Sequence, residues 1–238
     1  MIEINCQNYL NTYLNKKVNY KHSSSSKNLM LILDTRLSLA LILVIKNALI
    51  KMPNFNLMLI STKETIEFIE NIFGKIPYKI EINKSKINLK EYSKIMLDQN
   101  IWKKIKEDRV LIFQSDTIIL RNILDTEFPK LSMLGPVCVN LEDEKKFMIN
   151  GGFSFRDKKL MEELCTNKVI NSEVEDLFYT EQIRRHYPEL MPSIIECNNF
   201  AIESVGNKLT AKGIHGTDKY YKTFKGYEEI FETLELSN

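Results

Sequence analysis

Glycine and proline are scarce in these 238 residues, eight of the first and six of the second. No Gly-rich phosphate loop of the P-loop or dinucleotide-binding type occurs. The four cysteines, Cys6, Cys138, Cys165 and Cys197, stand far apart. No C-x-x-C pair and no Cys/His cluster is present, so a structural zinc site is not expected. The thiols read as reduced, which fits a cytoplasmic protein. A long hydrophobic run is missing too. The longest, Leu37 to Ile45, is interrupted by Ser38 and flanked by Asp34, Arg36 and Lys46. A bilayer span needs about 20 apolar residues, so none is expected. The opening MIEINCQNYL lacks a basic region followed by an apolar stretch and does not read as a secretory signal. Excess charge of one sign is absent as well: 33 Lys and Arg against 31 Asp and Glu leave a net +2. That balance gives no field suited to nucleic acid.

What remains is rich in Ile, Lys and Asn and 44% hydrophobic, enough for one large domain or two small ones. Residues 5 to 17 place Cys6, Tyr9, Leu10, Tyr13 and Leu14 on one helical face. This helix packs on its own domain, or it binds a partner, a homodimer contact being the candidate, or a membrane surface. The Ser-rich KHSSSSKN (21–28) reads as a linker. The expected organisation is therefore an N-terminal helix and linker over 1–26 and the main domain over 27–238.

NLMLILD (28–34), FNLMLIS (55–61), PYKIEIN (77–83) and RVLIFQS (109–115) read as strands. Helices are expected over 37–51, from Thr62 to about Gly74, and over 88–105 as one or two short pieces. The βαβαβαβ alternation predicts an α/β fold with a mainly parallel central sheet flanked by helices. The second half is less regular. Strands are expected at 130–137, 146–157 and 198–204, and helices at 158–167 and 173–188.

Polar residues collect where strands end: Asp34, Thr35 and Arg36; Ser61 and Thr62; Gln114, Ser115 and Asp116. In a parallel sheet all three groups share one edge, where ligands of open α/β sheets bind. A polar cluster after a strand is also how an ordinary loop begins. Gly151 and Gly152 lie inside an apolar segment, which marks either a bulge or a close approach by a ligand. Glu173, Glu175 and Asp176 gather at a helix start, where they serve the dipole or a site. His215 sits between two glycines. It gains chemical meaning only beside Asp116, where an imidazole and a carboxylate could share a metal.

The order FQSD (113–116), LGPV (134–137), NGGFSFR (150–156), EDLF (175–178) and GIH (213–215) resembles a little-characterised family of GT-A-type glycosyltransferase-like proteins. EYSKIMLDQNIWKKIKEDRV (91–110), with Trp102, adds to the likeness, which runs from about Asn28 to His215. The resemblance implies a Rossmann-like GT-A single domain with the N-terminal helix as an appendage. It implies transfer of a sugar from a nucleotide-sugar, a UDP-sugar foremost, to the hydroxyl of a glycan or other acceptor. Asp116 would bind a divalent cation, Mn2+ or Mg2+, with His215 as a second ligand. Asn150, Gly151 and Gly152 would line the donor sugar and acceptor, and Asp176 with Glu175 would supply the catalytic carboxylate. Asp34, Thr35 and Arg36 would lie near the nucleobase or ribose, with Ser61, Gln114 and Ser115 on the same edge. Gln114 stands where the Asp-x-Asp motif has its first carboxylate. The alternative is a non-catalytic nucleotide- or sugar-binding module of the same fold.

Overall fold

Three apolar runs form the centre of the molecule: β1 (Asn28–Leu33), β2 (Asn56–Ser61) and β4 (Arg109–Phe113). Every residue of β1 and β2 is buried, the pattern of strands covered on both faces. In the computed structural model, residues 11–13, 15–124, 127–128, 132–138, 147–167, 173–207 and 209–217 are described. Cys6, Tyr9, Leu10 and Leu14 of the expected N-terminal helix, and with them the candidate dimer contact, lie outside those residues.

β1 pairs in parallel with β2 on one side and with β4 on the other. β2 in turn pairs in parallel with β3 (Tyr78–Glu81), whose burial alternates as expected for an edge strand. Beyond β4 the sheet continues antiparallel through β9 (Phe153–Asp157) to β6 (Met133–Leu134). The order is β3-β2-β1-β4-β9-β6, so four of six strands are parallel. The mainly parallel sheet expected from the sequence is present.

Helices α1 (Leu39–Lys51), α2 (Lys63–Phe73), α3 (Leu89–Met96) and α4 (Gln99–Lys104) fill the connections. Their starts are written in the sequence. Ser38, Thr62 and Asn88 each accept a backbone N–H from the first turn, and Asn88 with Glu91 completes a capping box. Buried Leu and Ile side chains from these elements meet across the sheet, each contributing about 1.5–3 kcal/mol relative to exposure. A small second sheet, β10 (Ala201–Ile202), β11 (Gly213–Ile214) and β5 (Ile118–Ile119), sits beside the first. The buried Asn47 of α1 closes its free edge, exchanging hydrogen bonds with the Ile119 N–H and C=O at 2.8 and 3.0 Å.

The second half departs from expectation in three places. The segment 130–137 gives two short pieces, β6 and β7 (Val137–Cys138), because Gly135 and Pro136 interrupt it. The segment 146–157 breaks at Gly151–Gly152 into β8 (Met148–Ile149) and β9. Residues 198–204 hold only the two-residue β10, because helix α7 (Ile194–Phe200) occupies the preceding turns under a Ser193/Glu196 capping box. Helices α5 (Lys158–Asn167) and α6 (Glu175–His186) lie where expected. The Ser-rich stretch before β1 is tied to the sheet: Ser23 N–H donates to Asn56 Oδ1 and Ser26 Oγ to the Asn54 carbonyl. Tyr13 and Tyr20 are buried in the core.

Candidate functional site

From β1 the chain runs outward through β2 to β3 and then returns to place β4 on the other side of β1. The strand order reverses between β1 and β4, and open α/β sheets bind ligands outside the carboxyl ends of such strands. Asp34 follows β1 there and Gln114 to Asp116 follow β4. Between them opens a cleft of about 770 Å³, walled by 34–36, 86–89, Tyr92 and 114–116. Arg36 spans it: Nε and Nη2 donate to the two Asp34 oxygens at 3.0 and 2.8 Å, and Nη2 also donates to Ser115 Oγ at 3.1 Å. Lys86 lines the same cleft and makes no ion pair among the described residues.

Behind Gln114 and Asp116 stands His215, only 4% exposed. Its Nδ1 lies 3.0 Å from Glu203 Oε1. A carboxylate only accepts, so Nδ1 carries a proton, and Nε2 points at the corner made by Gln114 and Asp116. Nε2 is 3.2 Å from Gln114 Oε1 and 3.5 Å from Asp116 Oδ1. Asp116 is held through its backbone, whose carbonyl accepts from Thr217 N and Oγ1. Its side-chain Oδ1 is buried and has no hydrogen-bond partner among the described residues. A buried acceptor left unmade costs about 1–3 kcal/mol, more when charged, so this corner is short of a positive or donating group.

The diglycine exists to let this corner close. A Cβ on Gly152 would fall 2.1 Å from His215 Nε2. One on Gly151 would fall 2.2 Å from Glu175 Oε1 and 2.6 Å from Arg156 Nη2. Both positions are close approaches made within the protein. Asn150 orders the turn, accepting the Gly152 N–H at 2.8 Å and donating to Glu203 Oε1 at 3.4 Å.

On the far side of the diglycine lies the start of α6. Glu175 is fully engaged with buried Arg156, in two hydrogen bonds of 2.9 and 3.1 Å. Asp176 is different: it accepts the Gly151 N–H at 3.2 Å and the Leu177 N–H at 2.8 Å, and has no cationic partner at hydrogen-bond distance among the described residues. Burial first, and then the charge of Glu175, pushes its carboxyl up to about 6. Cys138, beside Glu203, is pushed up to about 12 by burial and that neighbour, so it is a protonated thiol at neutral pH.

The structure thus brings Asp116, His215 and Gln114 together, and the diglycine links them to Asn150, Glu175 and Asp176. Asp34, Thr35, Arg36 and Ser115 line the cleft. Ser61 lies beneath it, its hydroxyl donating to the Asp34 carbonyl. Four participants carried no signal as site residues in the sequence: Glu203, Arg156, Tyr92 and Lys86. The first two act through partners far along the chain. Among the described residues no group of three or more His, Cys, Asp and Glu side chains is placed to hold a metal. The donors at the corner are one carboxylate, one imidazole nitrogen and one amide. They fit a cation that prefers oxygen and accepts imidazole, bound weakly until a ligand supplies further oxygens.

No helix among the described residues is long and apolar enough to cross a membrane. No curated protein matches the sequence. Among solved structures, the chain is similar to galactosyltransferase LgtC in complex with donor and acceptor sugar analogs. That likeness has 12% identity and a TM-score of 0.47, over 87% of this chain and 96% of the other. A family model described as Protein of unknown function (DUF5672) matches residues 78–215, from β3 through His215, and so takes in the FQSD turn, the diglycine and the start of α6. That match covers more than half of the sequence, and the chain belongs to this family.

Proposed function

We propose that the protein is a glycosyltransferase that moves a sugar from a nucleotide-sugar, foremost a UDP-sugar, to an acceptor hydroxyl. The observation that carries the reading is the buried, unpartnered Asp116 Oδ1 beside His215 Nε2 at the strand-order reversal. Asp116 and His215, with the Gln114 amide, would hold Mn2+ or Mg2+. The cation would neutralise charge on the departing diphosphate. Glu203 holds Nδ1 as a donor, which would leave Nε2 to the cation, as carboxylates behind metal-binding histidines do. Arg36 and Lys86, the cations of the cleft, face the nucleotide, with Asp34 and Thr35 beside its ribose or base.

Asp176 is the base. It accepts the proton of the acceptor hydroxyl as that oxygen bonds the anomeric carbon. The bond from that carbon to the diphosphate breaks, and the nucleoside diphosphate leaves with the electron pair. A carboxyl poised near 6 is ionised at neutral pH and more basic than an ordinary aspartate. Glu175, occupied by Arg156, acts on the reaction through its charge on Asp176.

The neutral Gln114 favours a second reading, a nucleotide- or sugar-binding module without turnover. A hydrolysis and transfer assay over a panel of UDP-, GDP- and CMP-sugars, with and without manganese, separates the two. Cation-dependent release of nucleotide is expected for the enzyme. Binding of a nucleotide-sugar with no release under any condition supports the module, and no binding at all defeats both.

A further inference from the structure

We propose that the Tyr92 hydroxyl is the group that tells a nucleotide-sugar from a bare nucleotide, by hydrogen bonding to a ring hydroxyl of the transferred sugar. The inference rests on the nucleotide-sugar reading above. Tyr92 lies on α3 and is 8% exposed, yet its side chain reaches the wall of the cleft. Its hydroxyl is buried and has no hydrogen-bond partner among the described residues. The other buried aromatics of this region differ. Trp102 Nε1 donates to the Met96 carbonyl at 2.9 Å, and Tyr179 Oη donates to the same oxygen at 3.0 Å. An unpaired buried hydroxyl is costly, and buried tyrosine usually finds a partner. Here the partner is missing where the cleft begins.

The placement says which part of a ligand would supply it. Gln114, at the cation corner, lines the same wall and acts on the Tyr92 phenol as a hydrogen-bonding neighbour, but it stands outside the geometry of a formed hydrogen bond. The charges of Glu175 and Asp176 also reach the phenol, because the next residue, Ser93, bonds the Glu175 N–H. Tyr92 therefore neighbours both the corner that would face the diphosphate and the carboxylate that would face the acceptor. In a nucleotide-sugar the group between those two points is the sugar ring. α3 is also held in place: its capping box fixes the start, and Ser93 Oγ accepts the Glu175 N–H at 3.2 Å. The hydroxyl is thus aimed before the ligand arrives. Sites that hydrogen-bond a substrate hydroxyl discriminate strongly against ligands lacking it.

The test is calorimetric titration of wild type and Tyr92→Phe with UDP, UDP-glucose and UDP-galactose in the presence of manganese, alongside thermal melts. In wild type at least one sugar nucleotide binds more tightly than UDP. Tyr92→Phe should leave UDP affinity unchanged and reduce the added affinity of the sugar about tenfold, the loss expected for one hydrogen bond to a buried partner. Its melting temperature should hold or rise, because an unsatisfied hydroxyl has been removed. If the variant keeps the wild-type preference for sugar nucleotide over UDP, the proposal is wrong. If UDP and sugar nucleotides weaken equally with a lower melting temperature, Tyr92 is structural and the proposal is again wrong. If wild type binds none of the three ligands, the UDP-sugar reading itself fails, before the variant is compared.

Discussion

Two charged groups, the buried Arg156 and the half-buried Asp116, lie near the Gly151–Gly152 turn and are built on opposite principles. On one side Arg156 is closed off. Its guanidinium donates to both Glu175 oxygens, to Ser154 Oγ and to the Gly151 carbonyl, and it lies 5.2 Å from the Tyr179 ring centre. On the other side Asp116 has a buried oxygen with no hydrogen bond among the described residues, a histidine nitrogen at 3.5 Å and a neutral amide where a second acid could stand. The first is a finished piece of architecture, while the second is complete only with something added. The difference shows how charge divides between structure and site: the criterion is whether its partners are already present.

The comparison can be broken by removing a charge from each side. Glu175→Ala leaves Arg156 buried and unpaired and should cost about 3–5 kcal/mol in denaturant unfolding, the usual penalty for breaking one member of a buried pair. Asp116→Asn removes an already unmatched charge and should change stability by less than about 1 kcal/mol in either direction. Equal losses would erase the distinction.

Asp176 sharpens it, because it stands beside the closed pair without belonging to it. Asp176→Asn should lower sugar transfer about 10²–10⁴-fold while UDP still binds. Stability should move the other way. The folded carboxyl sits at about 6 against an ordinary value of 3.8, so the folded state holds this proton more tightly than the unfolded one. Its contribution is full below the ordinary value and is lost as pH rises through about 6, a loss on the order of 3 kcal/mol at neutral pH. The variant should therefore match wild type near pH 4 and be the more stable protein at pH 8, as read by urea unfolding at the two pH values. Wild-type transfer should rise with pH across the same region, because the base works only when ionised.

A smaller effect is expected behind the histidine. Glu203→Ala frees the Nδ1 proton of His215 from its acceptor and should weaken manganese binding in the presence of UDP about 10–100-fold. Glu203→Gln, which retains an acceptor oxygen, should lose less. A calorimetric comparison in which both variants bind manganese as wild type does would mean that Glu203 serves only packing.

Much of this was legible in the sequence where local pattern decides structure. Asn28–Leu33 and Asn56–Ser61 are apolar without alternation because both faces are covered, and Ser38, Thr62 and Asn88 announce their helices. Parallel pairing then carried Asp34 and Gln114–Asp116 to one edge. What was not legible depends on distant partners. Nothing near Arg156 announces that Glu175 will neutralise it, and nothing in NNFAIES points Glu203 at His215, 12 residues further on. Ser193 and Glu196 spell the capping box of helix α7, but the apolar residues at 200–202 that follow carry the pattern of a strand. The diglycine was noticed, but its neighbours, a histidine on one side and an ion pair on the other, become visible only when the sheet is assembled.

The central claim is that Asp116 ends its turn with an unmatched oxygen because a cation and the diphosphate of a nucleotide complete it. Calorimetric titration of UDP into wild type and Asp116→Ala, each with manganese and with chelator, tests this most directly. Wild type should bind UDP more tightly with manganese than with chelator, and Asp116→Ala should bind equally in both. Equal affinities in all four titrations would contradict the account and leave the polar residues after β4 as the beginning of a loop.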